Sequence, residues 1–310
     1  MVFQRKKILS IYPWLQERGL PFITSADYDG LICASFLHHY LGWELMGYYN
    51  LSSLWFSGHA KKNSKNLIWV DLNILSTEGR AIGGHIVSLN GELPHGFKSS
   101  CNPNIMANLN ADKFKEKFPF STLIFLLWIH DIQIEKELLA RMLVLHSDAS
   151  WLKYQEYGEN VNNWLSGLEN YNWKWLFQKV RSVTFEKRVD EILYPELKKI
   201  GAVSGLSKLS SKKLNIKSRQ FQFNPDWDED IILNLFRLFG NKLKWTPPTL
   251  PKIKHRIDGN RQKIELSKVK ETGLSTFLKA NNIFSYAIPS PLILNYTSFE
   301  NNKSLMEPSS

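Results

Sequence analysis

Ile23-Thr24-Ser25-Ala26-Asp27-Tyr28-Asp29-Gly30 places two carboxylates one residue apart, directly after an apolar run and before a glycine. If Leu20 to Thr24 form a buried strand, Asp27 and Asp29 stand at its carboxyl end, where parallel α/β sheets hold ligands and metals. Two hard oxygen donors at one turn suit a divalent cation. The same residues also suit an ordinary helix start, with Asp27 as N-cap and Gly30 easing the turn. Chemistry-bearing residues recur later in comparable settings. Asp71 closes the apolar run Leu67-Ile68-Trp69-Val70, His85 follows Gly83-Gly84 among apolar residues, and Asp148 follows an apolar helical stretch. Spread over about 120 residues, Asp27, Asp29, Asp71, His85 and Asp148 form one metal site only in an α/β fold that gathers the ends of its segments.

Those residues need strands and helices to position them. The pattern predicts a leading helix within 3–19, a strand ending in the acidic turn, and a helix from Leu31 to Leu41 ending near Gly42. A strand follows over Trp43–Tyr49, and 51–56 is ambiguous. Leu67–Val70 reads as a second strand of the first kind; as parallel neighbours the two would bring their acids together. The residues around His85 read as strand. Phe118–Ile129, the most apolar part of the chain, reads as buried helix or strand, and Glu135–Leu145 as a helix delivering Asp148. Residues 151–197 read as helical, 201–219 as a linker and Asn224 to Asp230 as the start of a helix running to Phe239 with Gly240 as its stop. The end after Phe299 reads as a loose tail.

Length and composition bound the rest. A chain of 310 residues with 43% hydrophobic and 22% charged residues is an ordinary globular composition, and two domains are expected. The formal charge of +10 favours an anionic partner, and most of the excess lies after residue 195. There Lys252, Lys254, Arg256, Arg261 and Lys263 form a basic stretch with Trp245 and Phe284 available for base stacking, which points to nucleic acid. Cys33 and Cys101 make no disulfide framework, and a reducing cytoplasm is the expected home. The first apolar stretch is broken by Pro13 and Gln16, so no signal peptide is expected, and no run is long enough for a membrane span.

The order of these motifs resembles the DHH phosphoesterase superfamily, which includes RecJ-type exonucleases, oligonucleotide phosphodiesterases and pyrophosphatases. Ser25-Ala26-Asp27-Tyr28-Asp29-Gly30-Leu31 is similar to its first motif, Leu67 to Asp71 to its second and His146-Ser147-Asp148 to its fourth. The third departs: Gly84-His85-Ile86 stands where the family has Asp-His-His, so His85 alone has a match. The histidine usual four residues before the first acid is Ile23 here, and no Gly-His signature of the family's C-terminal domain occurs after residue 200.

The resemblance implies a Rossmann-like domain with a parallel sheet over about residues 15–155, holding one or two Mn²⁺ or Mg²⁺ ions. In it Asp71 would bridge the metals, Asp29, His85 and Asp148 would complete one ion, and Asp27 would serve the other. The expected architecture is therefore an α/β DHH-like domain at 1–155, a helical connector at 156–200 and a smaller basic α+β domain at 201–310. The expected activity is divalent-metal-dependent hydrolysis of phosphodiester bonds, foremost in single-stranded nucleic acid. Hydrolysis of short or cyclic oligonucleotides is the enzymatic alternative. A domain that binds nucleic acid or a protein partner without cleaving is the other.

Overall fold

The computed structural model describes residues 2–63, 66–75, 80–168, 170–203, 207–210, 217–219 and 221–300, with 207–210 and 217–219 described for their backbone alone. The protein is α/β, with a seven-stranded, mostly parallel sheet, a three-stranded antiparallel sheet and many helices. Its strands are β1 (Pro21–Ser25), β2 (Glu44–Tyr49), β3 (Ser53–Ser57), β4 (Ile68–Val70), β5 (Arg80–Ile82) and β6 (Ser100–Cys101), followed by β7 (Ser207–Ser210), β8 (Lys217–Arg219), β9 (Ile253–Asp258), β10 (Asn260–Glu265), β11 (Ile283–Ser290) and β12 (Ile293–Ser298). Contacts divide the chain into two compact units built from alternating stretches: Met1–Glu17, Ala26–Gly42 and Pro119–Pro248 in one, Arg18–Ser25, Trp43–Phe118 and the residues from Thr249 onward in the other.

The sheet unit holds the order β6-β5-β4-β1-β2-β3-β9. β6, β5, β4, β1 and β2 run parallel, and β3 and β9 close one edge antiparallel. Central strands of a parallel sheet are covered on both faces and read as continuous apolar runs, as in β1, whose Phe22, Ile23 and Thr24 are fully buried. β9 instead alternates half-buried and exposed residues along its length, the signature of an edge strand with one wet face. The second sheet runs β10-β12-β11. In the core Phe284 meets both Tyr49 and Phe299 edge-on, while Tyr49 and Phe299 are tilted to each other, and the Tyr49 hydroxyl lies 2.6 Å from Ser285 Oγ, its pKa pushed up to about 12 mainly by burial. The 51–56 stretch resolves as β3 because it supplies the antiparallel partner of both β2 and β9.

The other unit is helical apart from the β7–β8 ladder, which lies within the segment read as a linker; 204–206 and 211–216 of that segment, like residue 220 and the tail after 300, lie outside the described residues. Its central helix, Tyr28–Leu41, packs against the helices Thr122–Ile129 and Glu229–Leu243. It begins three residues earlier than its apolar spacing suggests, because Asp27 accepts the Gly30 N–H as N-cap and so draws Asp29 into the first turn. It ends at Gly42, whose left-handed backbone closes it. Tyr28 fills the space between Phe239 and His146, ring centroids 5.4 and 4.8 Å away, and donates to the Leu143 carbonyl at 2.9 Å.

Several sequence expectations shift in detail. The segment 118–129 settles as a helix, Thr122–Ile129, capped by Ser121 and buried along its whole length. Pro13 divides the leading segment into a helix over Arg5–Ile11 and a 3-10 turn over Pro13–Gln16, since it has no N–H to continue the ladder. Gly240 does not stop its helix: Glu229–Leu243 runs through it and ends at Lys244, which takes the left-handed conformation. The amphipathic face of Ile232, Leu235, Phe236, Phe239 and Leu243, all buried, outweighs one glycine's helix penalty of about 1 kcal/mol. No described helix is long and apolar enough to cross a membrane.

His130 follows the Thr122–Ile129 helix, with its Nε2 buried and without a hydrogen-bond partner among the described residues. Burial lowers its pKa from 6.5 to about 4. The unfolded chain therefore binds the extra proton first as pH falls, and stability conferred by the neutral ring is intact above pH 6.5 and lost on the way to about pH 4. Denaturant titrations at pH 7 and pH 4.5 are expected to show His130→Leu losing less stability on acidification than the parent, by roughly 2–3 kcal/mol. An identical acid loss in both proteins would refute the assignment.

Candidate metal centre

β1 and β4 are parallel neighbours with Thr24 level with Val70, so the residues just beyond them, Ser25 and Asp71, emerge side by side. Ser25 Oγ donates to Asp71 Oδ2 at 2.9 Å, and Thr24 Oγ1 reaches the Val70 carbonyl at 3.3 Å. This pair of strands is also where the sheet order reverses. β1 is followed on one side by β2, whereas β4 is followed on the other by β5 and β6. Crevices at the carboxyl ends of such diverging strands are the usual ligand sites of open α/β sheets. Asp71 itself has φ 59°, a left-handed backbone that non-glycine residues adopt mostly at turns and functional sites.

Ser25 leads through Ala26 into Asp27 without a break in the chain. Asp27 fulfils the simpler of its two sequence readings, since its side chain caps the helix with Gly30 N at 3.0 Å. A capping carboxylate still has lone pairs for another partner. Asp29 is buried to 1% exposure, and its Oδ1 accepts the Asp148 backbone N–H at 2.5 Å. Burial first and the neighbouring Asp29 charge second hold the Tyr28 phenol well above its usual pKa. Asp148 and Ala149 both take left-handed backbone, φ 48° and 54°, and the Asp148 carboxylate is ion-paired with Lys153. Of the acids named from sequence, Asp27, Asp29 and Asp71 have the grouping and donor type to hold a metal ion, Asp27 and Asp71 half-buried and Asp29 buried. An all-carboxylate set is hard and anionic, the donor type that suits a divalent cation.

His85 is not on a strand. β5 ends at Ile82, and His85 occupies an exposed bend beyond it. It is not part of the three-carboxylate group found among the described residues. Its loop is nonetheless firmly held. Asn102 Nδ2 donates to the His85 carbonyl at 2.8 Å, and Asn104 Nδ2 to the Gly84 carbonyl at 2.7 Å, both asparagines being 1% exposed. Gly83 is required by close approach, because a Cβ there would sit 2.8 Å from the Leu72 carbonyl oxygen.

The basic residues named from sequence lie in the sheet unit, all exposed. Lys254 and Arg256 are on β9, with Lys252 just before it, and these three share one face by alternation; Arg261 and Lys263 share a face of β10. Lys254 and Arg256 line an open hollow of about 1020 Å³ with Lys61. His255 stacks on Phe56 at 5.0 Å, and the Arg256 guanidinium lies over Trp55 at 5.4 Å. Arg256 also binds Asp258 at 3.0 Å; the Ser53 hydroxyl first, and then Arg256, lower the pKa of that acid.

Sequence reading overlooked Lys153, Asn102 and Asn104. Lys153 lies five residues beyond Asp148 on the next helix, Ser150–Glu156, a spacing that carries no signal of its own. The asparagines were legible as an Asn-Pro-Asn turn, with Pro103 at a helix start, but nothing in that turn points to the glycine loop 18 to 20 residues earlier. Compared with protein-family models, curated proteins and solved structures, the chain matches none of them.

Asn104 also accepts the Phe118 N–H at 2.7 Å. Asn104→Ala removes both of its buried bonds and is expected to lower stability by about 2–4 kcal/mol. Hydrogen exchange should rise across 83–86 more than in β1, which would show that the loop has been loosened; equal protection in the two segments would contradict the role.

Proposed function

We propose that the protein is a divalent-cation-dependent phosphodiesterase acting on single-stranded nucleic acid, with Asp27, Asp29 and Asp71 as ligands of Mn²⁺ or Mg²⁺. The observation that carries this reading is the placement of Asp71 against Ser25 at the reversal of strand order, where the β1 chain leads directly into Asp27 and Asp29. The likeness of the first, second and fourth motifs to those of DHH phosphoesterases supports it, with His85 alone matched in the third, and His85 and Asp148 are the proposed remaining contributors. A bound divalent ion would supply charge neutralisation at phosphate and a more acidic water.

The chain's own residues have distinct tasks in this proposal. Ser25 orients Asp71 through its hydroxyl, so the carboxylate presents its remaining lone pairs in one direction. Asp29, almost fully buried, is fixed in orientation by the Asp148 N–H. Lys254 and Arg256, both exposed, meet phosphates in a sequence-independent way, whereas the rings named for base stacking, Trp245 and Phe284, are buried. Asp148 favours a second reading, a domain that binds nucleic acid without cleaving it, since its carboxylate already has a cationic partner in Lys153.

One assay separates these readings. End-labelled single-stranded DNA and RNA, with dinucleotides alongside, are incubated in Mn²⁺ or Mg²⁺ and in EDTA. Cleavage is expected only with metal and is expected to fall by at least about a hundredfold in Asp71→Asn, a change that suits the left-handed backbone and keeps the side-chain shape. Cleavage of dinucleotides alone would assign the small-substrate alternative. Tight, salt-sensitive binding without any cleavage would leave the binding module as the reading.

A further inference from the structure

The helical unit contains a hollow of about 370 Å³ beside the helix Leu138–His146, lined among others by Arg141, Lys179, Thr184, Phe185 and Arg188 and by no acidic residue. Arg141 is half-buried there. Its Nε donates to the Leu176 carbonyl at 2.8 Å, another guanidinium nitrogen donates to the Gln178 carbonyl, and its plane lies over Phe185 at 5.2 Å. Two neutral acceptors leave the charge itself uncompensated, and burial accordingly draws its pKa down. Among the described residues no ion pair reaches Arg141, Lys179 or Arg188. Lys179 also holds a left-handed backbone, φ 58°, a conformation uncommon for a non-glycine residue.

Three cations border one small hollow, Arg141 half-buried and Lys179 and Arg188 exposed at its rim, a set that an anion joins favourably. Carboxylates normally supply that anion within the fold, and here none does. We propose that the hollow binds a phosphate monoester of mononucleotide size, its dianionic group held by Arg141, Lys179 and Arg188. The guanidinium fork of Arg141 keeps three N–H donors beyond the two already engaged, enough for a two-pronged contact with phosphate oxygens. A phosphate monoester carries close to two negative charges at neutral pH on one compact group, matching a cluster of this charge better than a single carboxylate does. The volume lies near the lower end for small-molecule sites and admits a nucleotide unit rather than a run of polymer. This site is independent of the carboxylate centre and of the hydrolytic reading.

Isothermal titration calorimetry with inorganic phosphate, adenosine monophosphate and, as the uncharged control, adenosine tests it. EDTA throughout keeps divalent ions out of the readout. Saturable binding of both phosphate compounds and none of adenosine is expected. The double variant Lys179→Asn/Arg188→Gln should weaken that binding at least about tenfold while far-UV circular dichroism and melting stay unchanged. Asparagine at 179 keeps a residue that tolerates the left-handed backbone, and Arg141, which bonds the chain itself, stays in place. Binding of equal strength in the double variant, or no saturable heat with either phosphate compound up to about 10 mM, overturns the proposal.

Discussion

The pairing of β1 with β4 is the constraint on which the candidate centre depends. These strands are separated in sequence by the helix Tyr28–Leu41, β2, β3 and the short helix Gly58–Lys62, yet they run side by side, and their register decides which residue faces Ser25. Because side chains alternate across a strand, a slip of one residue would turn Asp71 to the opposite face and bring Leu72 or Val70 in its place. The register is held by burial on both faces: Phe22, Ile23, Ile68 and Val70 are wholly enclosed. A hydroxyl and a carboxylate can then meet at the strand ends without either having to carry the fold.

Beyond that pair, the polar residues near the proposed centre are unusually well anchored. Asp29 is a buried carboxylate, which is costly unless hydrogen-bonded, and the backbone N–H of Asp148 supplies a bond. The carbonyls of Gly84 and His85 are met by two buried amides, Asn104 and Asn102. Left-handed backbone at Asp71, Asp148 and Ala149 adds local strain that the surrounding packing must offset. Alanine has no side-chain polar group to favour that conformation, so position 149 is held by its neighbours rather than by its own preference.

How much of this could be read from the chain depended on the range of the determining interactions. β1, β2 and β4 were legible because a short apolar run bounded by polar residues is enough to mark a buried parallel strand. The helix after the acidic turn was legible too, but its start was not, since apolar spacing cannot register the N-cap bond from Gly30 to Asp27. The stop at Gly240 was misread for the opposite reason: a local preference was outweighed by five buried apolar residues on one helix face. Placing His85 on a strand relied on apolar neighbours alone, whereas Asn102 and Asn104 hold that loop from a distance. Least legible was the outer edge of the large sheet, since a basic alternating segment after residue 250 gives no hint of its partner.

That edge has a consequence for the newly made chain. β9 covers β3 through a ladder between residues near 55 and residues near 255, so about 200 residues must leave the ribosome after β3 before its partner exists. At ordinary synthesis rates this is a delay of roughly 10–40 s. During it, the backbone groups of Leu54-Trp55-Phe56 form an unsatisfied apolar border, open to any extended segment nearby. The strand that eventually closes it carries Lys254 and Arg256 on its outer face. Positive charge thus arrives with the strand that closes the large sheet, and that sheet becomes resistant to edge-to-edge association only once β9 has been made.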